Sequence, residues 1–198
     1  MGRGRRVAPV IAAAVFAAAL GLGGCYAGSA HDVSPRAVAG EPGWTLVSGV
    51  PFVHQERQKD CGAAALAMVL SYWSMPVAPS ELGAADAAAE GEGIRAGQLR
   101  DWARGRGLDA YLVSGDLGDL AAELGRGHPV LVGVVKPVRG DRGRAHYEVV
   151  IGIHREKRLI LTLDPAAGWR ENSFEGFARE WIPSGRVTLV VFPRSPSV

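Results

Sequence analysis

The chain has two cysteines, Cys25 and Cys61, and five histidines, and no pair among them shows zinc-ligand spacing. A metal site of that kind is not expected. Also missing are internal repeats, a nucleotide-binding glycine loop and any second hydrophobic segment after the apolar run Val7 to Leu20. Basic excess is lacking too, because three of the 22 Lys and Arg residues (Arg3, Arg5, Arg6) precede residue 25. The remaining 19 face 20 acids, a balance of about −1 that suggests no nucleic-acid partner. What is left, at 198 residues with 47% hydrophobic and 21% charged side chains, is one ordinary globular domain with short extensions.

The chain is organised around Gln55 to Gly62 and the apolar run Ala63 to Trp73 after it. A cysteine preceded by Asp and followed by Gly, opening a run of helix formers, can sit at a helix start. Unpaired amides and the helix dipole there favour thiolate over thiol. Asp60 is the expected N-cap, its carboxylate accepting from the first free amides. Gly62 and the alanines after it would keep the turn narrow enough for a carbonyl to approach Cys61. The same stretch also fits a buried core helix with a structural cysteine.

Cys25 ends Leu22-Gly23-Gly24-Cys25, after the basic start and the apolar segment. That layout is expected to be a secretory signal with small residues before the cleavage point. Its ending resembles the lipobox of bacterial lipoproteins, which implies acylation of Cys25, removal of residues 1–24 and a lipid-anchored protein of the cell envelope. The absence of Asp after Cys25 favours the outer membrane where one exists. Cys61 would then be the one thiol left in an exported protein, and catalysis is a reason to keep it. Residues 25–43, rich in Ala, Gly, Ser and Pro, read as a flexible tether, with the domain at 44–198.

Further along, Ala96 to Arg106 carries Leu99, Trp102 and Ala103 at helical spacing, with Gly107 as its stop. Asp109 to Val113 reads as a strand, and Leu117 to Leu124 as a helix between Asp116 and Gly125. The β-branched run Pro129 to Val135 reads as a central strand. His146 to His154 and Arg158 to Asp164 flank a polar loop and form a hairpin. Centred near residue 155, that hairpin would set Asp164 opposite His146. Ser173 to Trp181 reads as a helix and Val187 to Phe192 as the last strand.

A cysteine nucleophile needs a base, a group that orients the base, and oxyanion donors. Cys61, His146, Asp164 and Gln55 can supply these roles in that order, with the Cys61 amide as a second donor. The segments Gln55 through Asp60-Cys61-Gly62 to Met68, His146-Tyr147 with Val149-Val150, and Asp164-Pro165 resemble the papain-like cysteine peptidases that process bacteriocin precursors after a double-glycine leader. The resemblance spans about Val50 to Trp181. It implies an α+β papain-like fold, a nucleophile helix packed on an antiparallel sheet, and a Cys-His-Asp triad hydrolysing a peptide bond through a thioester.

No cofactor is implied. A peptide or protein substrate is, with an export system as a further partner. Glu148 stands where the family has an apolar residue and is expected to be a solvated strand side chain. Trp169 could form a substrate wall or simply pack. His31, His54, His128 and His154 are assigned no role. A non-cutting peptide-binding domain and an acyltransferase using the same thiol are the alternative functions.

Overall fold

In the computed structural model, residues 26–84, 93–139 and 143–194 are described. Cys25 and the signal-like segment lie outside them, as does most of the helix-prone stretch from Ser80 to Glu90. No helix among the described residues is long and apolar enough to cross a membrane.

Two short strands, β1 (His31–Asp32) and β2 (Trp44–Leu46), flank α1 (Pro35–Ala39). Then come α2 (Cys61–Tyr72), α3 (Pro79–Ala84), α4 (Ala96–Gly105), β3 (Leu108–Ser114), α5 (Leu117–Gly125), β4 (Val130–Lys136) and β5 (Arg144–His154). The chain finishes with β6 (Leu159–Asp164), β7 (Gly168–Ser173), α6 (Phe174–Trp181) and β8 (Val187–Pro193). The strands form one sheet in the order β1-β7-β6-β5-β4-β8-β3, with β2 pairing to the end of β5. Every pairing is antiparallel. Helix α2 packs on β5 and β4, and α6 packs on β4, β6 and β7.

Local chemistry explains most boundaries. Asp116 caps α5 by accepting from the Asp119 amide at 2.9 Å, while the Asp119 carboxylate accepts from the Asp116 amide at 2.9 Å. Ser173 caps α6 by accepting from the Gly176 amide. Helix α2 is buried from Cys61 to Leu70, so it needs no polar face.

Residues 26–43 differ from the tether that their composition suggests. Val38 is buried, Val33 and Trp44 pack on the core, and His31 and Asp32 pair with Glu171 and Arg170. The segment has no hydrophobic period because single anchors, rather than one continuous face, hold it to the sheet.

The β5–β6 hairpin also departs from the expected register. Its turn takes in Arg158, which adopts a φ of 56°, and the pairing is Ile153↔Ile160 and His154↔Leu159. A bulge at Ile151 then brings Val149 opposite Leu163. Continuing that register sets Asp164 across from Glu148, with His146 on the diagonal. The two side chains still meet, since diagonal neighbours on one face lie within reach of long side chains.

Candidate active site

The approach to Cys61 is built by a single 3₁₀ turn, Gln58–Asp60, running straight into α2. The Asp60 carboxylate turns back to Arg57, accepting from its amide and from the guanidinium Nε and Nη2, each at 3.0 Å. It therefore holds the preceding turn and does not cap α2, in contrast to the sequence expectation. The first amides of α2 carry no side-chain acceptor.

Gly62 has a packing role that its sequence context did not reveal. A Cβ there would come within 2.7 Å of Ile94 Cγ2 and 3.1 Å of the Tyr147 ring. Its small size lets the helix start approach β5. Cys61 is 6% exposed.

His146 sits on β5 with its Nε2 2.7 Å from Asp164 Oδ1. Its ring also hydrogen-bonds the Cys61 side chain. Nδ1 is the ring nitrogen left for the sulfur, so the imidazole bridges Cys61 and Asp164. Burial opposes charge on this ring. The Asp164 carboxylate, the Cys61 sulfur and Glu148 outweigh burial and push His146 up to about 10.

Asp164 is itself buried, which opposes its ionisation. His146, Lys136 and the Ala166 amide, which donates to Oδ1 at 2.8 Å, prevail and hold it well below the usual carboxylate range. Tyr147, next to the base, is pushed up to about 12 by burial and by the charge of Cys61.

Gln55 completes the set. Its amide donates to the Pro165 carbonyl at 3.0 Å, tying the segment before the cysteine to the turn that carries Asp164. Its Oε1 is buried without a hydrogen-bond partner among the described residues. Gln55, His146 and Asp164 line one cavity of about 300 Å³ together with Gln58, Arg144 and Arg170. Cys61 is absent from that wall, and His146 is the residue that links the two. Four sequence-predicted residues are thus brought together, while Cys25 lies outside the described residues.

The remaining sequence candidates lie elsewhere. His154 Nε2 is 3.1 Å from the Pro42 carbonyl, against Trp44. His128 pairs with Glu123 at 2.7 Å and stacks on Phe192. His54 lines a different cavity with Glu56 and Arg57, and His31 lies 3.3 Å from Glu171. Trp169 packs against the core, and Ala166, Ala167 and Arg170 line the cavity where it was considered.

Glu148 is a correction, since it is 3% exposed and ion-paired with Lys136. Lys136 and Glu180 were not foreseen as part of the site. The available signal was Glu180 lying three residues after Phe177, on the apolar side of α6 beside Trp181. His146, Glu148 and Asp164 bring possible metal-ligand atoms within 4.8 Å of one another. The ammonium of Lys136 contacts both carboxylates and already supplies positive charge at that point.

A cysteine at the start of a core helix, facing a His-Asp pair on an antiparallel sheet, defines the papain-like cysteine peptidase class. The chain belongs to the Peptidase C39 family, whose profile matches residues 49–195. No curated protein sequence matches it. Among solved structures it is similar to the peptidase domain of Streptococcus ComA, a bifunctional ABC transporter, at 23% identity and TM-score 0.59, covering 74% of this chain and 100% of that one. A double-glycine-motif protease from an AMS/PCAT transporter, in complex with the leader peptide, gives 23% and 0.58 over 74% of this chain and 94% of that one. Xylellain, a cysteine protease from Xylella fastidiosa, gives 12% and 0.60 over 85% and 92%.

Proposed function

We propose that this cysteine peptidase hydrolyses a peptide bond through Cys61, His146 and Asp164, after a double-glycine-type leader, while anchored to the bacterial envelope by lipid on Cys25. The observation that carries the reading is His146, bonded by Nε2 to Asp164 and in hydrogen-bonding contact with the Cys61 side chain. In the first half-reaction the Cys61 sulfur, its proton already held by His146, attacks the substrate carbonyl. The Cys61 amide and the side-chain amide of Gln55 receive the oxyanion. Gln55 lines the cavity with His146 and Asp164, where its side-chain Nε2 is the donor that can meet the oxyanion.

His146 then protonates the leaving amine, the C–N bond breaks, and a thioester remains. Water loses a proton to His146 as it attacks the thioester, and the C–S bond breaks to release the acid product, leaving the proton on His146 beside the Cys61 sulfur. Asp164 keeps the ring in the tautomer that both transfers require.

Support for the leader comes from the family and from the relative crystallised with its leader peptide. Support for the anchor comes from the basic start, the apolar run Val7 to Leu20 and the Leu22 to Cys25 ending. The test is an internally quenched peptide with Gly-Gly before the scissile bond. Wild type is expected to cut after Gly-Gly and Cys61→Ala to lose all turnover; cleavage retained by Cys61→Ala would overturn the reading. Product masses carrying added amines would instead indicate acyl transfer. Diacylglycerol on an N-terminal Cys25 peptide tests the anchor, and an unmodified, uncleaved N-terminus would overturn it.

A further inference from the structure

The Asp164 carboxylate has two oxygens, and the proposed triad uses one. Oδ1 is occupied by His146 and the Ala166 amide. Oδ2 faces the Lys136 ammonium at 3.6 Å. Lys136 ends β4 and its side chain is 12% exposed, so an unpaired ammonium there would be costly. It also pairs with Glu148 on β5 and with Glu180 on α6, the latter at 3.2 Å.

Glu180 is fixed in turn by the N-terminal segment. It accepts from the Tyr26 hydroxyl at 2.5 Å, and that oxygen accepts from the Ala30 amide at 2.9 Å. The Tyr26 ring lies 5.2 Å from the ammonium. Burial lowers the basicity of Lys136, but Glu148, Glu180 and Asp164 together raise it well above the ordinary lysine range. It is therefore charged at neutral pH.

We propose that Lys136 is a positioning residue that keeps Asp164 ionised and aimed at His146 through the step in which His146 is neutral. The inference rests on the Cys61-His146-Asp164 reading. While His146 is charged, its own proton holds the carboxylate ionised. Once His146 passes that proton to the leaving amine, the support disappears and Lys136 is the cation that touches Asp164. Without it, Asp164 would face the Glu148 and Glu180 carboxylates, which favour its protonation. A protonated Asp164 is a poor acceptor for the ring N–H, and the imidazole would lose its orientation.

The charged and titratable groups around Asp164 are His146, Glu148 and Arg144 from β5, Lys136 from β4, Arg170 from β7, Glu180 from α6 and Tyr26 from the N-terminal segment. Arg170 is engaged with Asp32 and the Ala30 carbonyl. Lys136 is the cation whose ammonium contacts Asp164 along with His146.

The test needs no natural substrate. In the full chain, hydrolysis of a p-nitrophenyl N-acylglycinate, each turnover of which passes through neutral His146, is followed between pH 4.5 and 8 in wild type, Lys136→Met, Lys136→Arg and His146→Ala. The carboxyl signal of Asp164 is followed by carbon NMR over the same range in His146→Gln and in His146→Gln with Lys136→Met, where residue 146 carries no charge. Between pH 8 and pH 5 the rate of Lys136→Met relative to wild type is expected to fall about tenfold, one decade per unit of displaced titration. The Asp164 carboxyl should titrate within the measured range only where Lys136 is replaced beside the neutral residue 146, and Lys136→Arg should restore the wild-type rate profile.

Should Lys136→Met fail to fold, Lys136→Gln, which removes the charge but keeps a polar end, must show the same acid loss. A Lys136→Met profile parallel to wild type, with Asp164 unmoved, overturns the proposal while leaving the triad intact. A His146→Ala rate equal to wild type at all pH values overturns the Cys-His reading itself, and this proposal with it.

Discussion

Replacing His146 by Gln should change how stability depends on pH, and the size of the change follows from the site. The buried imidazole is held up to about 10, against 6.5 for a free histidine. The folded state therefore binds a proton more tightly than the unfolded chain. Its contribution is complete below about pH 6.5 and is lost as pH rises through the folded value. Across the whole window the loss is on the order of 5 kcal/mol, at about 1.4 kcal/mol per unit.

Asp164 is displaced the other way, so its contribution is present above the unfolded carboxylate value and disappears only in acid. The two shifts describe one ion pair and are not added. Urea unfolding followed by tryptophan fluorescence would be run at pH 6, 7.5 and 9, with Cys61 kept in both proteins because its sulfur helps to raise His146. Between pH 6 and 9 the stability advantage of the protein that keeps His146 over the His146→Gln variant is expected to shrink by about 3 kcal/mol. Parallel stability curves, agreeing within about 0.5 kcal/mol, would refute the buried charged pair.

Asp164→Asn should lower kcat by at least about tenfold with KM little changed, because the base stays in place but loses its charged orienting partner; an equal loss confined to KM would contradict this. Gln55→Ala should cost about 10²-fold in kcat if its amide meets the oxyanion, and steady-state kinetics on the Gly-Gly peptide would show whether it does. Gly62→Ala should destabilise the fold by about 1–3 kcal/mol, since its Cβ enters space held by Ile94 and Tyr147. Thermal unfolding that leaves Tm unchanged would mean the helix start has more room than its packing indicates.

Much of the fold was legible because periodicity and punctuation agreed along the second half of the chain. Leu117–Gly125 began at Asp116, Val130–Lys136 was a continuous β-branched run, and Leu159–Asp164 alternated cleanly. Strand β7 was not legible, since Gly168–Ser173 holds charged and polar residues whose place is set by pairing with β6. Residues 26–43 were hidden for a related reason, being anchored by isolated side chains rather than by a repeating face.

At the site, the contact of His146 with Asp164 was anticipated, but by a register that the turn through Arg158 and the bulge at Ile151 both alter. Glu148 looked solvated because sequence distance gave no hint that Lys136 would meet it. Buried charge networks join residues from separate elements, and Lys136, Glu148, Glu180 and Tyr26 come from four different places in the chain. No local pattern announces such a set.

The central claim is that Cys61 forms a thioester with the acyl half of a peptide, and trapping that species tests it most directly. The full chain would be mixed with the Gly-Gly peptide, quenched in acid within milliseconds to seconds, and weighed intact by mass spectrometry before digestion to locate the adduct. A transient mass increase equal to the acyl half is expected on Cys61, longer-lived in Gln55→Ala and absent in Cys61→Ala. Peptide cleavage with no adduct at any time, or an adduct on another residue, would contradict it.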